Sequence, residues 1–159
     1  MKQDMRVLMG LRMVLEHTIF RSFWKEYQMP KGIKSTHIMT AMALYRRGPL
    51  SMSKLSHMMN MEKGSLTTVA DRMINLGYAT RSRSEMDRRV YEIDLTEKGQ
   101  VLASEFESAH MEYVMGLFEE LPEAQRQAFF TSAEELLHTI LEINKDPELK
   151  RHFYEKTRN

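Results

Sequence analysis

Two adjacent arginines, Arg88 and Arg89, stand where they add nothing to a core and repel each other. They lie in residues 81–99, RSRSEMDRRVYEIDLTEKG. Apolar and polar residues alternate through Val90-Tyr91-Glu92-Ile93-Asp94-Leu95, and Arg81 and Arg83 alternate with Ser82 and Ser84, which predicts two short strands joined by Glu85–Arg89. The chemistry open to paired guanidiniums on an exposed tip is anion capture. Phosphates would relieve their repulsion, and the negative potential of a minor groove attracts an inserted arginine. Asp87, two residues before Arg89, is placed to hold it extended.

A second candidate precedes it. On a helix from about Met61 to Leu76-Gly77, the residues Leu66, Val69, Ala70 and Met73 fall within about 100° and form a core face. Ser65, Thr68 and Arg72 lie beside that face and, with Gly64, Thr67 and Asp71, make an outward surface, with Lys63 in the first turn. Short side chains permit close approach to DNA, hydroxyls bond phosphates or base edges, and arginine forks to guanine. Ser53 and Lys54 on the preceding short helix join this set. An ordinary solvated face has the same composition, so the weight rests on the helix and the basic hairpin occurring together.

These residues need elements to position them. Leu8, Leu11, Val14/Leu15, Thr18/Ile19 and Phe23 recur at helical spacing from Met5 to about Tyr27, with Met9, Met13, Phe20 and Trp24 widening the apolar arc. A helix so broadly apolar at a chain end points to an intermolecular surface. Met29-Pro30-Lys31-Gly32 ends it. Ser35 or Thr36 caps a second helix through Tyr45, stopped at Gly48-Pro49, and Ser51 opens a third. After the hairpin, Thr96 caps a long helix to about Leu117 or Glu120, and Pro122 sits in the first turn of a last one. The tail from Asp146 is polar and reads as helical or frayed. Four helices, a hairpin and two helices give a mainly α fold with a small β-hairpin, the order of a winged helix-turn-helix.

Composition narrows the function classes. Apolar residues are 42% and charged residues 28%, which excludes wholesale disorder, and no apolar run approaches the roughly 18 residues of a membrane span. No secretory leader is recognised and there is no cysteine, which removes disulfides, thiol redox sensing and thiolate zinc sites; a cytoplasmic protein is expected. The formal net charge is only +1, yet nine basic residues between Arg46 and Arg89 face four acidic ones, Glu62, Asp71, Glu85 and Asp87. A basic centre of this kind suits a polyanion. There is no phosphate-cradling glycine loop, nucleophile elbow or H-E-x-x-H, so no enzyme is expected.

Residues 50–99 resemble the DNA-binding core of the MarR (multiple antibiotic resistance regulator) family. Leu76-Gly77-Tyr78, Arg81, Asp87-Arg88-Arg89 and Leu95-Thr96-Glu97-Lys98-Gly99 stand in that family's order. Met58-Met59-Asn60-Met61 is more methionine-rich than the family pattern. The resemblance implies a homodimer interlocked through its first and last helices, each protomer offering a recognition helix and a wing to a pseudo-palindromic operator in double-stranded DNA. It divides the chain into a dimerisation helix over 1–34, a winged helix-turn-helix lobe over 35–99 and helices completing the dimer over 100–159. Arg89 matches the wing arginine that enters the minor groove, Asp87 its supporting acid, and Arg88 the variable position between them.

The family also implies transcription regulation, more often repression, relieved by a small-molecule effector between the dimer helices and the DNA-binding lobes. In this sequence the candidates are His17, Phe20, Trp24, His37, His110 and Tyr113, although aromatics at helical spacing also serve packing. A zinc-responsive variant would draw on His37 and the Glu107-x-x-His110 pair, but spacing fixes no third ligand, so no metal or other cofactor is assigned. The remaining alternative is a winged-helix protein-interaction module; adjacent arginines at the tip, in place of apolar anchors, argue against it.

Overall fold

The structure, a computed structural model, describes residues 2–145 and Lys150. The tail from Asp146, Lys150 apart, lies outside them. The described residues fall into two compact units divided between Val114 and Met115.

In the first unit the N-terminal helix is built in three pieces: α1 (Lys2–Leu15), a π-helical turn (Glu16–Arg21) and α2 (Ser22–Glu26). In the π turn the Ser22 N–H and Oγ both donate to the His17 carbonyl, and Arg21 reaches back five residues to Glu16 at 3.1 Å. One extra residue per turn rotates the chain that follows, so α2 turns Phe23 into the core while α1 leaves Met5, Val7, Leu8, Met9, Met13 and Val14 exposed. Helical periodicity predicts one unbroken helix here. A π turn keeps the same apolar spacing on both sides, so it leaves no trace in composition.

Helix α3 (Ser35–Arg47) ends at Gly48, whose positive φ of 74° glycine adopts freely. Next come strand β1 (Leu50–Ser51), helix α4 (Met52–Met59), helix α5 (Lys63–Asn75), strands β2 (Ala79–Arg83) and β3 (Tyr91–Leu95), and helix α6 (Glu97–Glu119). The sheet is antiparallel in the order β1-β3-β2, with Leu50 opposite Ile93 and Arg83 opposite Tyr91. The hairpin expected from sequence is β2–β3. The third strand is an addition, and its two residues are too few to show a period.

The centre of the unit is where Ile38, Ala41 and Leu44 of α3, Leu55 of α4, Leu66, Ala70 and Met73 of α5, and Ile93 of β3 lose almost all contact with water. Each large apolar side chain buried this way contributes about 1.5–3 kcal/mol. Gly99 joins α6 to this body, because a Cβ there would overlap the Tyr78 carbonyl. Thr96 fixes the same junction, its Oγ donating to Gly77 O at 2.7 Å and accepting from Gly99 N at 3.1 Å.

In the second unit the end of α6 turns through Leu121 into α7 (Glu123–Ile143). Pro122 is the N-cap of α7, one position before the first turn expected for it, and its carbonyl accepts from Gln125 N and Arg126 N. Phe118, Phe129 and Phe130 pack in tilted and edge-to-face pairs with centroids 4.7–5.5 Å apart. Phe130, Ile140 and Ile143 remain exposed.

Candidate nucleic-acid interface

Helix α5 divides its residues as the helical wheel predicts. Leu66, Val69, Ala70 and Met73 are buried, and Lys63, Gly64, Ser65, Thr67, Thr68, Asp71 and Arg72 are exposed. The Thr67 hydroxyl donates to Lys63 O at 2.8 Å and the Thr68 hydroxyl to Gly64 O at 3.3 Å. With their protons turned back onto the helix, both hydroxyls present lone pairs outward, suited to accept from the amino groups of adenine or cytosine. The Arg72 guanidinium reaches the loop before α3, where its Nη2 lies 2.8 Å from where a Cβ on Gly32 would sit.

The methionine-rich turn ahead of α5 is closed by hydrogen bonds. Asn60 takes the left-handed conformation (φ 48°, ψ 44°), the Met61 N–H donates to Ser56 O at 3.1 Å, and the Ser56 hydroxyl donates to Met61 O at 2.6 Å. Met59 and Met61 pack against the core, so their flexibility fills space under the turn. Ser51 caps α4 by accepting from Lys54 N at 3.3 Å, which leaves Ser53 and Lys54 exposed on its first turn.

The hairpin tip is an ordered loop. Ser84 N donates to Val90 O, Val90 N to Asp87 O, Arg89 N to an Asp87 carboxylate oxygen at 2.9 Å, and the Arg83 guanidinium to Arg88 O at 2.8 Å. Asp87 therefore supports Arg89 through its backbone and leaves the guanidinium projecting. Among the described residues neither Arg88 nor Arg89 makes an ion pair, and both are exposed. Arg83, expected among the DNA-contacting residues, also carries a structural bond at the tip. Sequence reasoning passed over Tyr91, whose ring lies 6.0 Å from the Arg81 guanidinium and 5.2 Å from that of Arg83. Its signal was available: in an antiparallel register Tyr91 stands opposite Arg83.

The residues singled out for an effector do not converge on one site. Phe20, Trp24, His110 and Tyr113 belong to an aromatic cluster around Phe23 and Phe106, with centroid separations of 4.8–6.1 Å. The His110 Nε2 stands 3.1 Å from Ile19 O, and the Tyr113 hydroxyl donates to Thr18 O. His17 is exposed on the π turn, and His37 is buried in the first turn of α3. Glu107 pairs with Arg46 at 3.3 Å. Among the described residues no three His, Asp or Glu side chains gather as a metal site.

Comparison with known proteins gives these elements relatives. Residues 33–91 match the model of the MarR family. The curated relative YpoP of Bacillus subtilis, described as an uncharacterized HTH-type transcriptional regulator, is 24% identical over 140 residues, 84% of this chain and 92% of its own length. The transcriptional repressor MdtR of the same organism is 25% identical over 71 residues, 45% of this chain and 46% of its own. Among solved structures, Streptococcus pneumoniae FabT in complex with DNA shares the fold with a TM-score of 0.64 at 20% identity, over 89% of this chain and 99% of that one. Residues 33–91 thus match the MarR family, and the helices, the three-stranded sheet and the wing share the fold of the solved regulator.

Proposed function

We propose that this protein is a homodimeric, sequence-specific regulator of transcription that represses its target genes and is released from DNA by a small-molecule effector. The observation that carries DNA binding is the wing tip, where four hydrogen bonds build an ordered loop that leaves Arg88 and Arg89 side by side, exposed and, among the described residues, without an ion pair. Ordering two guanidiniums side by side in water has no benefit to the free protein; an adjacent phosphate backbone supplies one. In the same reading, Ser65, Thr67 and Thr68 face the major groove, Lys63, Arg72, Lys54, Arg81 and Arg83 neutralise flanking phosphates, and the Ser53 hydroxyl hydrogen-bonds to one.

Dimerisation is supported by the exposed apolar residues of α1 in the first unit and, separately, by Phe130, Ile140 and Ile143 of α7 in the second, since exposed apolar clusters mark interaction surfaces. Residues 1–34 and 100–159 then serve the dimer, and 35–99 the DNA. Repression accords with the activity named for MdtR, and DNA binding with the complex of FabT.

Selection of bound duplexes from a random library, followed by sedimentation of the complex, tests this reading. The expected result is a pseudo-palindromic consensus with half-sites about 10 bp apart, bound by two chains. Recovery of no consensus sinks the proposal of sequence-specific binding.

A further inference from the structure

Helix α1 carries two unlike faces. At about 100° per residue, Val7, Leu8, Leu11, Val14 and Leu15 fall within about 120° of one another, and Met5, Met9 and Met13 fall within about 80° on the opposite side. The first is the aliphatic face a second protomer would cover. The second sets three thioethers at four-residue spacing among Arg6, Arg12 and Glu16, each methionine more than half exposed. So placed they bury little apolar area, and packing within the protomer does not account for them. His17 continues the same spacing at the start of the π turn. With Met13, Val14, Glu16, Thr18 and Arg21 it lines a groove of about 540 Å³. His17 bonds through its carbonyl, which accepts from Ser22, and its imidazole is free among the described residues. Glu16, the one carboxylate of the groove, is engaged by Arg12 at 3.5 Å and Arg21 at 3.1 Å. The soft donors left free are therefore a thioether and an imidazole.

We propose that Met13 Sδ and an imidazole nitrogen of His17 bind a soft monovalent cation, Cu(I), with Met9 as a further thioether one turn toward the N-terminus. Residues four apart on a helix have Cβ atoms about 5–6 Å apart, and a methionine turns three bonds to bring its sulfur to an ion held by its neighbour. Thioether sulfur selects Cu(I) over hard divalent ions, and imidazole suits copper as well. Charge points the same way. Arg12 and Arg21 against Glu16 leave one net positive charge beside the site, which repels a divalent ion twice as strongly as a monovalent one. The chain has no cysteine, so none of its own thiolates competes for such an ion. Binding is ligation through lone pairs of neutral groups, with no electron or proton transferred.

Silver(I), a redox-inert ion of the same class, is titrated as the nitrate into the full chain in chloride-free buffer, following methionine methyl groups and histidine rings by NMR. The first equivalent should shift the Met13 methyl and the His17 ring together and saturably, with Met9 following. It should leave Met86, 99% exposed on the wing tip, unmoved. Cu(I) added without oxygen should move the same groups, and zinc sulfate should leave the Met13 methyl in place. Met13→Leu keeps the apolar volume and removes the sulfur, so it should preserve the oligomeric state while weakening silver binding by about tenfold or more, as should His17→Gln. No measurement here involves DNA, so a failure of the DNA-binding reading cannot be mistaken for a failure of this site. The proposal is overturned if the first equivalent of either monovalent ion binds elsewhere, if Met13→Leu binds silver as the wild type does, or if zinc shifts the Met13 methyl as silver does.

Discussion

Replacing Arg89 by alanine removes one projecting guanidinium from a tip that the rest of the loop holds in place. The bonds that build the tip, Arg89 N to Asp87, Arg83 to Arg88 O and Ser84 N to Val90 O, do not use the Arg89 side chain. Fold and thermal stability should therefore stay near wild type, within about 0.5 kcal/mol for an exposed position. If Arg89 neutralises one phosphate, the slope of log K against log salt becomes shallower by about one unit. Asp87→Ala keeps the guanidinium and loses the carboxylate that orders it; an exposed hydrogen bond of this kind is worth about 1 kcal/mol, or about fivefold in affinity, with little change in slope. Arg88→Ala should lose less than either, because the tip uses the Arg88 carbonyl and the side chain is not buried. Fluorescence anisotropy of the three variants on one selected operator, from low to physiological salt, ranks them. Wild-type affinity and slope in Arg89→Ala would refute the reasoning and reduce the wing to a solvated turn.

Other perturbations address the remaining elements. Thr68→Ala or Ser65→Ala should relax base preference at single operator positions by about 1 kcal/mol or more, read on a panel of single-base variants; equal loss across the panel means phosphate contact alone. Charges placed together at Leu8 and Val14, both exposed in the protomer, should yield folded monomer by sedimentation at micromolar concentration, and a persistent dimer rejects the assignment of α1 to the interface. Gly99→Ala should destabilise the first unit by about 1–3 kcal/mol in urea, since the obstruction is the Tyr78 carbonyl and not a side chain that can swing away. His37 has its pKa lowered below the ordinary 6.5, first by burial, then by Lys34 and Arg72. Protons bind the unfolded chain first, so its contribution to stability is complete above about pH 6.5 and declines as pH falls through the folded-state pKa. A His37→Gln variant should show a flatter stability profile over that acid range, and an unchanged profile removes His37 as the source.

Much of the fold and half of the candidate interface were written in local patterns. The core face of α5 follows from the helical period of Leu66, Val69, Ala70 and Met73, and the wing from alternation through Val90–Leu95, because each signal repeats within one element. The cap of α6 at Thr96 and the support of Arg89 by Asp87 are contacts between residues no more than three apart, so spacing alone reveals them. Tertiary structure decided the rest. Strand β1 exists only because Leu50 and Ser51 meet Ile93 and Glu92 some forty residues away, and Gly99 is required only because Tyr78 packs against it. The same holds for the aromatic candidates: helical spacing could not distinguish a ring facing a ligand from one packed on Phe23, and the fold places Phe20, Trp24, His110 and Tyr113 among other rings. His37 was visible in the sequence as a histidine near a helix start. That it lines a groove with Lys34 and Arg72 depends on the approach of α5 to the loop before α3, a juxtaposition of residues more than thirty apart that no local period encodes.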